Sequence, residues 1–168
     1  MFLTDPLFLK MPKSQRKNNA SKFIALIKDY LQDKLHLSPK TEYKLGNHAW
    51  SSKADIAIEL GKNKFFVEVE EGQNHPDTNV TKYWSWIEKE KISNKVILIQ
   101  IFGSDFYDNN YRSRTELCKF IADKIKETGF DFIYIPIPEE RQHKYNENWQ
   151  IFDLLDQTKR KIKEIVDI

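Results

Sequence analysis

Cysteine, glycine and proline are all scarce in this chain. One cysteine, Cys118, in 168 residues leaves no intrachain disulfide and excludes zinc sites built from several cysteines. The five glycines form no glycine-rich phosphate loop, and GxSxG and HExxH are absent too. The four histidines, His36, His48, His75 and His143, have no metal-ligand spacing among themselves. No apolar run approaches the length of a membrane span. The opening stretch MFLTDPLFLKMPKSQRK is broken by Asp5 and Pro6 and carries its basic residues after the apolar part. A signal peptide has the reverse order, so a cytoplasmic protein without membrane contact is expected.

An excess of one charge is also missing: 27 Lys and Arg stand against 25 Asp and Glu, a net charge of +2. The distribution is less even. Residues 1–53 hold ten basic against four acidic residues, and residues 54–92 hold five against eight. A basic first third beside an acidic centre suits a phosphate backbone near a metal site, and it equally suits an ordinary solvated surface. The length fits one domain with a real core. No repeat or low-complexity linker divides it.

Hydrophobic periodicity then orders the elements. Residues 1–18 read as an arm, with Phe2, Leu7, Phe8 and Leu9 to pack it. Asn19 or Ser21 caps a helix with Phe23, Ile24, Ile27, Leu31 and Leu35 on one side, closed by Ser38-Pro39. Thr41–His48 is a strand candidate. A helix from about Thr78 to Lys91 shows Val80, Tyr83, Trp84 and Ile87 on one side; Tyr83, Trp84 and Trp86 could stack on bases, but at helical spacing at least two belong to the core. Lys95–Phe102, KVILIQIF, suits a central strand covered on both faces, with Gln100 as a structural interruption. Ser113–Glu116 reads as a capping box for a helix with Leu117, Phe120, Ile121 and Ile125, and Cys118 fills space beside that stripe. Gly129 stops this helix. Phe130–Ile137 is a strand that Pro136 marks as an edge, and a last helix runs from about Trp149 to Val166. The order α-β-β-β-α-β-α-β-α predicts an α/β fold with a mixed central sheet flanked by helices.

The stretch Ala54–Lys82 holds the chemistry. Ala54–Leu60 and Phe65–Glu71 alternate in character on either side of Gly61–Lys64, as in a hairpin. Pairing Leu60 with Phe65 puts Ile56, Ile58, Leu60, Phe65, Val67 and Val69 on one apolar face. Asp55, Ala57, Glu59, Phe66, Glu68 and Glu70 take the other, with Asp55 opposite Glu70. Like charges facing each other across a ladder are destabilising, so the acids either hold a divalent cation or sit on a plain wet surface. Lys82, one turn into the next helix, can point back over the sheet end. His75, in the intervening loop, could reach the site or be merely solvated.

Asp55, then E-V-E at Glu68–Glu70, then Asn79 and Lys82 together resemble the PD-(D/E)xK nuclease superfamily, in the variant with acid-x-acid on the strand and the lysine shifted to the following helix. Ala54 stands where that pattern has proline, and Glu70 where it has lysine. The resemblance implies a restriction-endonuclease-like αβββαβ core, here with an added C-terminal strand and helix. It also implies Mg²⁺ or Mn²⁺ at Asp55 and Glu68 with help from the Val69 carbonyl, and phosphodiester hydrolysis, DNA first. Glu70 would be a further ligand or orient the attacking water. Lys82 would stabilise charge on the phosphate, Asn79 would position Lys82 or touch phosphate, and Glu42 would complete a second metal position. Lys10, Lys13, Arg16 and Lys17 are candidate phosphate contacts. The assembly is left open between a homodimer and a larger defence or repair complex. A nuclease fold that binds nucleic acid or protein without catalysis stays open, as does an unrelated α/β interaction protein.

Overall fold

The computed structural model describes residues 13–46, 52–70, 75–103, 111–139 and 147–167. In chain order its elements are α1 (Lys13–Asp33), β1 (Lys40–Lys44), β2 (Lys53–Leu60), β3 (Asn63–Glu70), α2 (Asp77–Glu90), β4 (Val96–Phe102), α3 (Tyr111–Glu127), β5 (Phe132–Ile137) and α4 (Glu147–Val166). The nine expected elements are present in the expected order. Helix α1 starts at Lys13, so the second part of the expected arm is helical. Lys10 and the apolar residues of the arm lie outside the described residues.

The strands lie side by side in chain order. β1, β2 and β3 form an antiparallel meander, while β3, β4 and β5 run parallel because a helix returns the chain between them. Alternation along β3, β4 and β5 sorts their side chains into two layers. Phe66, Leu98, Phe102 and Phe132 pack with Val80, Tyr83, Trp86 and Ile87 of α2 and with Cys118, Ala122 and Ile125 of α3. Phe65, Val67, Val69, Ile97, Ile99 and Ile101 pack with Phe23, Ile27 and Leu31 of α1 and with Leu154, Leu155 and Ile162 of α4. Covered on both faces, β4 is buried along its whole length. β5 is an edge strand, and the absent N–H of Pro136 costs the ladder nothing on its open side.

Further details differ from expectation: α1 and α3 begin at Lys13 and Tyr111, so Asn19, Ser21 and Ser113 lie inside these helices and do not cap them. The hairpin pairs Leu60 with Asn63 and Ile58 with Phe65, two residues from the expected register, because Gly61 at φ +60° closes a tighter turn. An even slip keeps the side chains from Ile56 to Leu60 on their expected faces, but it moves Asp55 from the level of Glu70 towards that of Glu68. On α3 the inward stripe is Thr115, Cys118, Ala122 and Ile125, while Leu117 and Phe120 are 45% and 57% exposed. The small Cys118 and Ala122 let the helix lie close to the sheet. The Lys124 ammonium lies 5.4 Å from the centre of the exposed Phe120 ring.

Candidate active site

β2 is irregular at Asp55. Ala54 packs with the α2–α3 layer and Ile56 with the α1–α4 layer, whereas regular alternation would put both in one. Across from this step Glu42 takes a left-handed φ of +51°, a conformation unusual for a residue with a Cβ. The β2–β3 ladder runs only as far as Ile56–Val67. Beyond it the Asp55 carboxylate takes the place of a strand carbonyl, its Oδ2 accepting the Val69 N–H at 2.8 Å. The Glu70 carbonyl accepts from Gly103 N on the β4 side. Strand alternation therefore turns the Val69 carbonyl to the β2 side, where Asp55 stands.

α2 supplies the other half of the site. Asn79, Lys82 and Tyr83 follow i, i+3, i+4 spacing and share one helix face. The helix runs back along β3, so four residues of helix, about 6 Å of rise, match two residues of strand, about 6.6 Å. Asn79 accordingly meets Glu70, and Lys82 and Tyr83 meet Glu68. The Asn79 amide donates to Glu70 Oε1 at 2.5 Å. The Tyr83 hydroxyl donates to Glu68 Oε1, and Lys82 Nζ lies 2.9 Å from the same oxygen. Lys82 Nζ also donates to the Lys53 carbonyl at 2.7 Å, joining α2 to the start of β2.

Glu68 and Glu70 are only 2% and 0% exposed, so a wet-surface account of these two acids fails. Burial pushes the Glu68 carboxyl up to about 8, against the pull of Lys82 and Tyr83. Burial likewise pushes Glu70 up to about 7, opposed by the amides of Asn79 and Gln100. Asp55 is raised by burial and by the charge of Glu42, while the Val69 N–H and Lys82 draw it down. The Tyr83 phenol is raised well above its ordinary value by burial and by the neighbouring Glu68, which keeps it a hydrogen-bond donor.

The expected residues divide clearly. Asp55, Glu68, Glu70, Asn79 and Lys82 come together. Glu42 stands beside them, its Oε2 2.9 Å from Lys53 Nζ. His75 turns a largely exposed ring to solvent, 3.9 Å from Asp77. Lys13, Arg16 and Lys17 fall in the first turns of α1, but their side chains are outside the described set. α1 itself packs in the layer across the sheet from α2. Among the described residues no three His, Cys, Asp or Glu side chains converge to hold a metal ion as they stand; α2 draws Glu68 to Tyr83 and Lys82. One oxygen is left over: Glu70 Oε2 is buried with no hydrogen-bond partner among the described residues.

Gln100 is the structural interruption expected, and its amide donates to Glu70 Oε1 at 2.6 Å and to the Pro76 carbonyl at 2.8 Å. Its signal was a lone polar side chain in an otherwise apolar central strand. Tyr83 and Tyr134 gave no such signal, since both fit an apolar stripe. Comparison of the chain with protein-family models and with curated proteins gave no match.

Proposed function

We propose that the chain is a Mg²⁺- or Mn²⁺-dependent nuclease that hydrolyses phosphodiester bonds in DNA. The observation that carries this reading is the reach of Lys82: from α2 its ammonium lies 2.9 Å from Glu68 Oε1, beside the half-buried Asp55. A lysine and two strand acids are thereby set at the end of a sheet where the hairpin opens. The donor set is made of carboxylate oxygens, which suits a hard divalent cation. The buried, unpartnered Glu70 Oε2 is an oxygen that such an ion would satisfy.

In this reading Asp55 and Glu68 hold the ion, with the Val69 carbonyl beside them. Glu70 presents Oε2 as a further ligand or as the acceptor that orients the attacking water. A bound Mg²⁺ or Mn²⁺ would supply Lewis-acid polarisation of the phosphate and a more acidic water. Lys82 donates to the charge that develops on the scissile phosphate, and Asn79 fixes Glu70 one helical turn away. Incubation with labelled single- and double-stranded DNA and RNA plus Mn²⁺ tests the assignment. Lys82→Ala should stay folded, since alanine suits a helix, and should lower cleavage by about two to three orders of magnitude. Equal cleavage by parent and variant rejects the role of Lys82.

A second reading rests on the same ammonium. Lys82 Nζ is already engaged by Glu68 and by the Lys53 carbonyl, as in a purely structural ion pair. A binding module without catalysis would retain nucleic acid in the same panel and cleave none of it.

A further inference from the structure

Gln100 sits at a junction of four elements. Its side chain is fully buried and makes three hydrogen bonds. Nε2 donates to Glu70 Oε1 on β3 at 2.6 Å and to the Pro76 carbonyl at the start of α2 at 2.8 Å. Oε1 accepts from the Tyr134 hydroxyl on β5 at 2.7 Å. These contacts leave the amide one sensible orientation. Turned over, its oxygen would face two acceptors, Glu70 and the Pro76 carbonyl. Tyr134 reinforces that choice by occupying the amide oxygen.

The consequence falls on Glu70. Gln100 and Asn79 both donate to Oε1, which holds the carboxylate plane and leaves Oε2 without a partner among the described residues. The bond to Pro76 O also ties β4 to the residue just before α2, the helix that carries Asn79 and Lys82. One side chain therefore sets both the rotation of Glu70 and the seat of the helix opposite it.

We infer that Gln100, locked by Tyr134, is the positioning residue that aims Glu70 Oε2 as a single-oxygen ligand for the divalent cation. This rests on the nuclease reading and assigns to β4 and β5 a part in metal binding that the acidic hairpin alone does not contain. Groups behind a metal ligand of this kind typically change affinity by about 10–100-fold when removed.

The test is calorimetric titration of the full chain with Mn²⁺, in the absence of nucleic acid. Gln100→Met keeps the length of the side chain and removes the amide; its Mn²⁺ affinity should fall by about 10–100-fold. Tyr134→Phe deletes one hydroxyl and leaves the amide held by its two donated hydrogen bonds alone. It should weaken Mn²⁺ binding in the same direction and by less, with a cooperative melt in chelator lowered by the unpaired Gln100 oxygen. In cleavage assays both variants should lose kcat with little change in KM for DNA, because neither residue touches substrate. If Gln100→Met fails to fold, Tyr134→Phe carries the test alone. Parent-like Mn²⁺ affinity in the folded variants overturns the inference and leaves the nuclease reading standing. A parent that takes up no Mn²⁺ removes both.

Discussion

At the scale of the residue, the buried acids link site and stability. Glu68 and Glu70 bind their protons more tightly folded than unfolded, with values near 8 and 7 against an ordinary 4.5. Between 4.5 and those values the folded state carries more protons than the unfolded state, so stability falls as pH rises. The contribution is complete below about pH 4.5 and gone above about pH 8. In chelator, denaturant melts should therefore show a decline across this window. Glu68→Gln, which cannot ionise, should flatten its upper part. A parent and variant with parallel pH profiles would mean that Glu68 is charged throughout, with Lys82 outweighing its burial.

Elements differ in how well their signals survive packing. The β2–β3 hairpin kept its faces through a register shift of two, because strand parity tolerates even slips. α3 kept only part of its stripe: Ile125 is buried and Ile121 packs against the core. Leu117 and Phe120 lie outward, and the smaller Cys118 and Ala122 take the inward positions. α1 raises an element-level prediction of its own. If Lys10 and the first turns of this helix, with Lys13, Arg16 and Lys17, bind phosphates, neutralising these residues should flatten the salt dependence of DNA binding. The slope should change by about 0.9 for each phosphate that is no longer neutralised. Because α1 packs in the layer across the sheet from α2, an unmoved slope would place the DNA path on the α2 side alone.

Over the whole molecule, the strongest test of the site reads stability instead of turnover. Asp55→Asn and Glu68→Gln remove charge at nearly constant shape, so in chelator these variants should melt above the parent. Mn²⁺ at about a hundredfold excess over its dissociation constant should add about 2.7 kcal/mol to the parent. For a chain of this length that corresponds to about 5–10 °C, enough to reverse the order. Glu59→Gln is the control, since Glu59 is exposed and pairs with Lys40 at 3.4 Å. Equal Mn²⁺ shifts in parent and variants would remove the metal site. No described helix is long and apolar enough to cross a membrane, in line with the hydropathy of the sequence.

The order of nine elements, the two faces of the hairpin from Ile56 onward and the grouping of Asp55, Glu68, Glu70, Asn79 and Lys82 as a candidate site were legible in the sequence. They depend on local rules: period two in strands, period 3.6 in helices, and spacing along one chain. Other properties needed the tertiary structure because they depend on contacts between segments far apart in sequence. Burial of Glu68 and Glu70 follows from α2 lying across β3, with Asn79 and Tyr83 arriving at the right height. The break in alternation at Asp55 lies opposite Glu42 on the neighbouring strand, where φ is +51°. Gln100 reaches Glu70 only because β3 and β4 pair in parallel. A polar residue in a buried strand announces that it needs partners; which partners it finds is decided by the strands and helices packed around it.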